Sequence, residues 1–110
     1  MTEAPYDRIR TLNDRFRRSF SGGTVLVTPG IRALPEDQQA EVLHAVRSFT
    51  AFDPGNDPYG EHDFGSVEIA GQRCFWKIDA YDLTLTEASP DPADPSVTRR
   101  VLTIMLASEY

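Results

Sequence analysis

The chain has 110 residues, of which 40% are hydrophobic and 25% are charged, and its formal net charge is −6. This length corresponds to one domain, residues 1–110, which can bury a hydrophobic core. The single cysteine excludes an intrachain disulfide and a cysteine-based zinc site, and no apolar run approaches the ~20 residues that span a bilayer.

The first part of the chain predicts a helix followed by a strand. Four apolar residues of the segment 5–20 fall on one stripe of a helical period: Ile9, Leu12, Phe16 and Phe20. Ser21-Gly22-Gly23 ends this helix, because glycine tolerates the left-handed cap. The β-branched run 24–28 predicts a strand, and Pro29-Gly30 predicts a turn after it.

The rest of the chain predicts one more helix and several strands. Residues 35–51 read as a helix, and two alternating runs around Gly71-Gln72 read as a β-hairpin. Residues 83–86 predict a short third strand of the same sheet, and residues 97–110 a last strand, because their apolar residues alternate. The fold class is therefore α+β, with two N-terminal-half helices packed on a mostly antiparallel sheet of about five strands.

The hairpin register decides which side chains share a face. With Gly71-Gln72 as the turn, Ile69 lies opposite Cys74 and the apolar residues of both strands point to the core. The other face is open, and His62 lies opposite Tyr81 there. It carries a set of polar side chains: His62, Lys77, Asp79 and Tyr81.

This open face is the first candidate for chemistry. A histidine beside a carboxylate is the usual oriented general base, so His62 and Asp79, with Lys77 and Tyr81, are the candidate catalytic residues. They point to a small hydrolase-like or metal-assisted enzyme. The expected set lacks a nucleophile, because Cys74 faces the core.

The acidic loop 53–65 is the second candidate. Its pattern fails as a calcium loop counted from Asp53, because Gly55 and Phe64 occupy ligand positions and Pro58 occupies the position of the central glycine. We expect no bound metal and no cofactor. The alternative is a loop whose Asp and Asn side chains cap their own turns.

Nucleic-acid binding is a third hypothesis, since the first helix carries five arginines: Arg8, Arg10, Arg15, Arg17 and Arg18. They do not line one face of the helix. The chain has a sequence pI of about 4.7, against the basic footprint of nucleic-acid-binding proteins. Both observations argue against this hypothesis.

Protein binding accounts for more of the pattern. Residues 33–96 hold thirteen acidic residues against three basic ones, which suits a basic protein partner. Aromatic residues beside charged ones are typical of interfaces. The predicted binding residues are Asp57, Tyr59, Glu61, His62, Asp63 and Phe64, and the predicted occupant is a protein, either a basic partner or a second copy of the chain.

Several longer runs resemble a known bacterial family. They are RIRTLNDRFR, GGTVLVTPGIRALPED, NDPYGEHDFG, FWKIDAYD and SPDPADPSVTRRVLTIMLASEY. Together they resemble the family called domain of unknown function 3768. The resemblance implies a small, cytoplasmic, stand-alone accessory protein of alphaproteobacteria, often encoded on plasmid or mobile-element DNA, with no established activity or catalytic residues. Ala80 stands where the family usually has tyrosine.

Overall fold

The computed structural model describes residues 5–110, and their side chains from residue 7 onward. Seven helices and strands form the fold: α1 (Pro5–Ser19), β1 (Gly23–Val27), α2 (Pro29–Arg32), α3 (Glu36–Arg47), β2 (Phe64–Ile69), β3 (Gln72–Tyr81) and β4 (Arg99–Leu106). Single-turn 3-10 helices, Pro95–Val97 and Ala107–Glu109, flank β4. The α+β prediction is confirmed, with four strands among the described residues instead of about five.

The four strands form one mixed sheet in the order β1-β4-β3-β2. β3 pairs antiparallel with both β2 and β4, whereas β1 pairs parallel with β4. A parallel pair needs a long crossover connection, and α2, α3 and the hairpin lie between these two strands in the chain. The last strand therefore occupies an inner position, between the first strand and the hairpin.

The core lies on one face of this sheet, under α1 and α3. Its buried members come from the three helices, from the residue two positions after α3, and from the even-numbered residues of β3 and β4: Phe16, Ile31, Val42, Val46, Phe49, Cys74, Trp76, Ile78, Leu102 and Ile104. The predicted alternation of the hairpin is confirmed here. Val101 and Met105 are also buried, but they belong to the opposite face and lie outside this cluster.

The predicted hairpin register is wrong by two residues. The turn is Ala70-Gly71, where both residues have positive φ (51° and 79°), and Val67 lies opposite Cys74. Two consecutive positive φ values match the twist of a tight hairpin. Because side chains alternate with a period of two, the shift moves the partners but keeps each side chain on its predicted face.

The predicted strand over residues 83–86 does not form. The Asp82 carboxylate instead accepts hydrogen bonds from the Thr86 amide (3.0 Å) and the Thr84 hydroxyl (3.0 Å). Such local side-chain bonds compete with sheet pairing. An isolated antiparallel bridge between Tyr81 and Ala88 joins the residues on either side of this segment.

Two further predictions differ from the structure, and the prediction of the last strand is confirmed over part of its range. Pro29-Gly30 begins the short helix α2 instead of a turn, and α3 ends at Arg47, four residues before its predicted end. Of the predicted last strand, residues 97–110, the structure confirms Arg99–Leu106. At the end of this strand the Glu109 carboxylate accepts a hydrogen bond from the Leu106 amide (2.9 Å). None of the helices formed within residues 5–110 is long and apolar enough to cross a bilayer.

Candidate functional site

Loop 53–63 is held in shape by its own side chains. The Asp53 carboxylate accepts hydrogen bonds from the amides of Gly55 (2.8 Å) and Asn56 (3.0 Å), and the Asn56 side chain donates to the Ala51 carbonyl (3.2 Å). These bonds are the turn-capping bonds predicted as the alternative to a metal loop. Among residues 5–110, no cluster of three or more His, Cys, Asp or Glu side chains could hold a metal ion.

His62 lies on the helix side of the sheet, which corrects its predicted place on the open face. β2 begins at Phe64, so residue 62 stands before the strand alternation, and its φ of 55° turns the chain. The imidazole stacks on the Phe52 ring with centroids 3.6 Å apart and planes 2° apart. His62 is therefore part of the packing between the loop and the helices.

Both ring nitrogens of His62 face carboxylates. Nδ1 lies 2.8 Å from Oδ1 of Asp14 in α1, and Nε2 lies 3.5 Å from Oδ2 of Asp57. Asp57 is buried and also accepts the His62 amide (3.1 Å). This arrangement fastens the loop to α1, and two more bonds support it, from Asn13 to the Glu61 carbonyl (3.0 Å) and from Arg10 to the Gly60 carbonyl (3.4 Å).

The other catalytic candidates lie on the opposite face of the sheet. Lys77 and Asp79 form an ion pair there (3.0 Å), and Tyr81 lies opposite Arg99 at the end of β3. Hydrogen bonding to Asp79 raises the pKa of Lys77. His62 and Asp79 therefore do not converge, and the expected acid–base pair is wrong in its geometry.

The carboxylates of Asp57, Glu61 and Asp63 interact electrostatically where the loop leads into β2. Burial, and then the charges of Asp63 and Asp57, raise the pKa of Glu61. Burial also raises the pKa of Asp63, its own backbone hydrogen bond opposes this, and the charges of Asp57 and Asp79 raise it further. Like charges brought together favour a cation beside them.

The sheet face opposite the helices carries an aromatic cluster that the sequence only partly predicts. The rings of Phe64 and Phe75 lie 5.2 Å apart, and the Tyr110 ring lies 6.1 Å from Phe64 and 5.6 Å from Phe75. Tyr110 is 74% exposed. Its contribution was missed because it follows β4 in a 3-10 turn, outside any strand alternation.

Five of the six predicted binding residues thus separate into three groups, and Tyr59 stands apart. Asp57 and His62 brace the loop, Glu61 and Asp63 form a half-buried acidic rim, and Phe64 belongs to the aromatic cluster. Tyr59, 77% exposed, projects into solvent.

The arginines of α1 do not form one basic surface. Arg17 is fully buried, where it donates to the carbonyls of Val46 (2.9 Å) and Arg47 (3.2 Å) and pairs with Asp14 (3.0 Å). Arg10 pairs with Asp7 within the helix (2.8 Å). Arg17 is therefore inaccessible to a nucleic acid, and its side chain caps the C-terminal end of α3.

Comparison with known proteins identifies one family. A family model described as Protein of unknown function (DUF3768) matches residues 27–109, which is more than half of the chain. No curated protein matches the chain significantly, and no solved structure does.

Proposed function

The chain belongs to this family of proteins of unknown function, and we propose that it is a non-enzymatic binding or regulatory module for a basic segment of another protein. The proposed contact surface is the acidic loop 53–65 with the adjoining open face of the hairpin. We place the protein in the cytoplasm, because its single, buried cysteine suits a reducing compartment.

The open sheet face carries this proposal. α1 and α3 cover one side of the sheet, whereas the other side presents the rings of Phe64, Phe75 and Tyr110. Aromatic side chains are enriched in the centre of protein interfaces, where they bury a large area at a small entropy cost.

Charge favours a basic occupant. The acidic rim of Glu61 and Asp63 lies in the chain just before Phe64, and burial and neighbouring carboxylates raise the pKa of each. A lysine or arginine of a partner placed beside them would relieve that repulsion. The same charges disfavour an acidic or nucleic-acid occupant.

The test compares two double variants in which neutral side chains of nearly equal volume replace carboxylates. The double variant Glu61→Gln/Asp63→Asn removes the rim charges and nearly preserves side-chain volume. Its control, Glu41→Gln/Glu87→Gln, removes two exposed carboxylates outside the loop and the hairpin. A partner captured by the wild-type protein is identified by mass spectrometry, and its basic segment is titrated by calorimetry at several salt concentrations.

We expect the rim variant to weaken binding about tenfold, and the control to leave it unchanged. Circular dichroism verifies that both variants fold. Equal binding by the two variants would contradict the proposal. Sedimentation of the purified chain tests the alternative occupant, since a dimer that persists in both variants and blocks the aromatic cluster would assign this face to a second copy.

A further inference from the structure

Two adjoining cavities lie where the end of α1 meets the beginnings of β1 and β4. One has a volume of about 130 Å³ and the other of about 300 Å³, and both are lined by Gly22, Thr98 and Arg100. Arg15 lines the smaller cavity, whereas Thr24 and Arg99 line the larger one. We call these six residues the arginine cleft.

The charge of this cleft is opposite to that of the protein. The chain holds 17 acidic residues against 11 Lys and Arg, yet three arginines and no Asp or Glu line the two cavities. Arg15 and Arg99 are exposed. Their guanidinium groups are therefore accessible from solvent, although Nε of Arg99 already donates to the Leu83 carbonyl (2.9 Å).

Arg100 differs from the other buried arginine, Arg17, in having no carboxylate partner among the side chains of residues 7–110. Both are at most 4% exposed, and Arg17 pairs with Asp14 at 3.0 Å. Arg100 donates from Nε to the Asn13 side-chain oxygen (2.8 Å) and from Nη2 to the Pro92 carbonyl, both neutral acceptors. Within residues 5–110 it makes no ion pair.

A buried cation that lacks a counter-ion is unfavourable, because burial removes its hydration and hydrogen bonds to two neutral acceptors replace only part of the lost charge stabilisation. Burial lowers the pKa of Arg100, and the charge of Arg8 lowers it further, whereas Asp14 acts in the opposite direction on the pKa of Arg17. Among the side chains that the structure describes, no carboxylate offsets these two effects on the pKa of Arg100.

We propose that the arginine cleft binds the phosphate group of a small anionic ligand. Guanidinium forks match the paired oxygens of phosphate, and each cavity is lined by Arg100 together with one exposed arginine, Arg15 in the smaller cavity and Arg99 in the larger one. The Thr24 hydroxyl adds a further donor. The larger cavity admits a small molecule, whereas the net charge of −6 opposes a nucleic-acid strand.

The test titrates the full chain with inorganic phosphate and follows amide chemical shifts by NMR. We expect saturable binding that shifts the amides of Gly22, Gly23 and Thr24. The double variant Arg15→Gln/Arg99→Gln, which changes only exposed side chains, should weaken binding about tenfold. The control Arg73→Gln removes an exposed arginine near the hairpin turn, outside the cleft, and should not change it.

Two further probes test which kind of anion the arginine cleft binds. Acetate tests a carboxylate ligand and a short single-stranded oligonucleotide tests a polyanion. Absence of saturable phosphate binding, or equal weakening by the cleft variant and Arg73→Gln, would overturn the proposal. It would also be overturned if acetate or the oligonucleotide bound more tightly than phosphate with the same dependence on Arg15 and Arg99.

Discussion

At the scale of single residues, His62 is a brace between the loop and α1. Its ring stacks on Phe52 and stands between the carboxylates of Asp14 and Asp57. Asp57 is buried, so its carboxylate depends on donors supplied by the protein. The histidine therefore contributes mainly to the position of loop 53–63.

We predict that His62→Ala lowers the free energy of unfolding by about 2 kcal/mol. The substitution removes the ring stack on Phe52 and the imidazole that lies between the carboxylates of Asp14 and Asp57. The chain offers a matched control in His44, its other histidine, which is exposed on α3. His44→Ala should change stability by less than about 0.5 kcal/mol. Urea unfolding followed by circular dichroism measures both, and similar losses in the two variants would refute a special role for His62.

The sequence identifies the residues of this site better than their arrangement. It predicts that Phe64, Lys77 and Asp79 share an open face, because strand alternation is a local property. It does not predict that His62 turns to the helix side, since one positive φ before β2 ends the alternation. The partner of His62 is Asp14, 48 residues earlier, and no local pattern joins the two.

At the scale of secondary-structure elements, the hairpin turn shows how two conformational preferences compete. Gly71-Gln72 places glycine first and therefore satisfies one turn type, whereas the observed turn forces Ala70 to a φ of 51°. The observed turn places Val67 opposite Cys74. A residue with a Cβ is unfavourable in the left-handed region, so tertiary packing outweighs the local preference here.

We predict that Ala70→Asn raises the free energy of unfolding by about 0.5–1 kcal/mol, because asparagine tolerates positive φ and Asn-Gly suits this turn. Ala51→Asn is the control, since Ala51 is also exposed but has no positive φ. Thermal and urea unfolding measure the difference. A destabilised Ala70→Asn variant would argue against the Ala70-Gly71 turn.

At the scale of the whole molecule, carboxylates affect the pH dependence of stability in two opposite ways. Burial raises the pKa of Asp63 above its ordinary 3.8, so the folded state disfavours its ionised form. The contribution of Asp63 to the free energy of unfolding therefore decreases as the pH rises from 3.8 through the pKa of the folded state. Hydrogen bonds from Ser96 lower the pKa of Asp94, so its contribution is present above 3.8 and is lost as the pH falls through the folded pKa.

These signs give a paired prediction for urea unfolding between about pH 3 and pH 7. The stability of Asp63→Asn relative to wild type should increase as the pH rises. The stability of Asp94→Asn relative to wild type should decrease over its own interval. Each variant controls for the other, and a parallel response of both to pH would contradict the assignment of opposite signs.

The inner position of β4 has a consequence for how the chain folds during synthesis. β4 is the last strand to leave the ribosome, yet it separates β1 from the hairpin, and Gly23 pairs with Arg100 across 77 positions. Until β4 emerges, β1 has no neighbour in the sheet, and the apolar faces of α1 and α3 have only part of their packing surface. We expect the nascent chain to expose apolar surface until β4 has been synthesised, and to acquire its fold cooperatively once β4 joins the sheet.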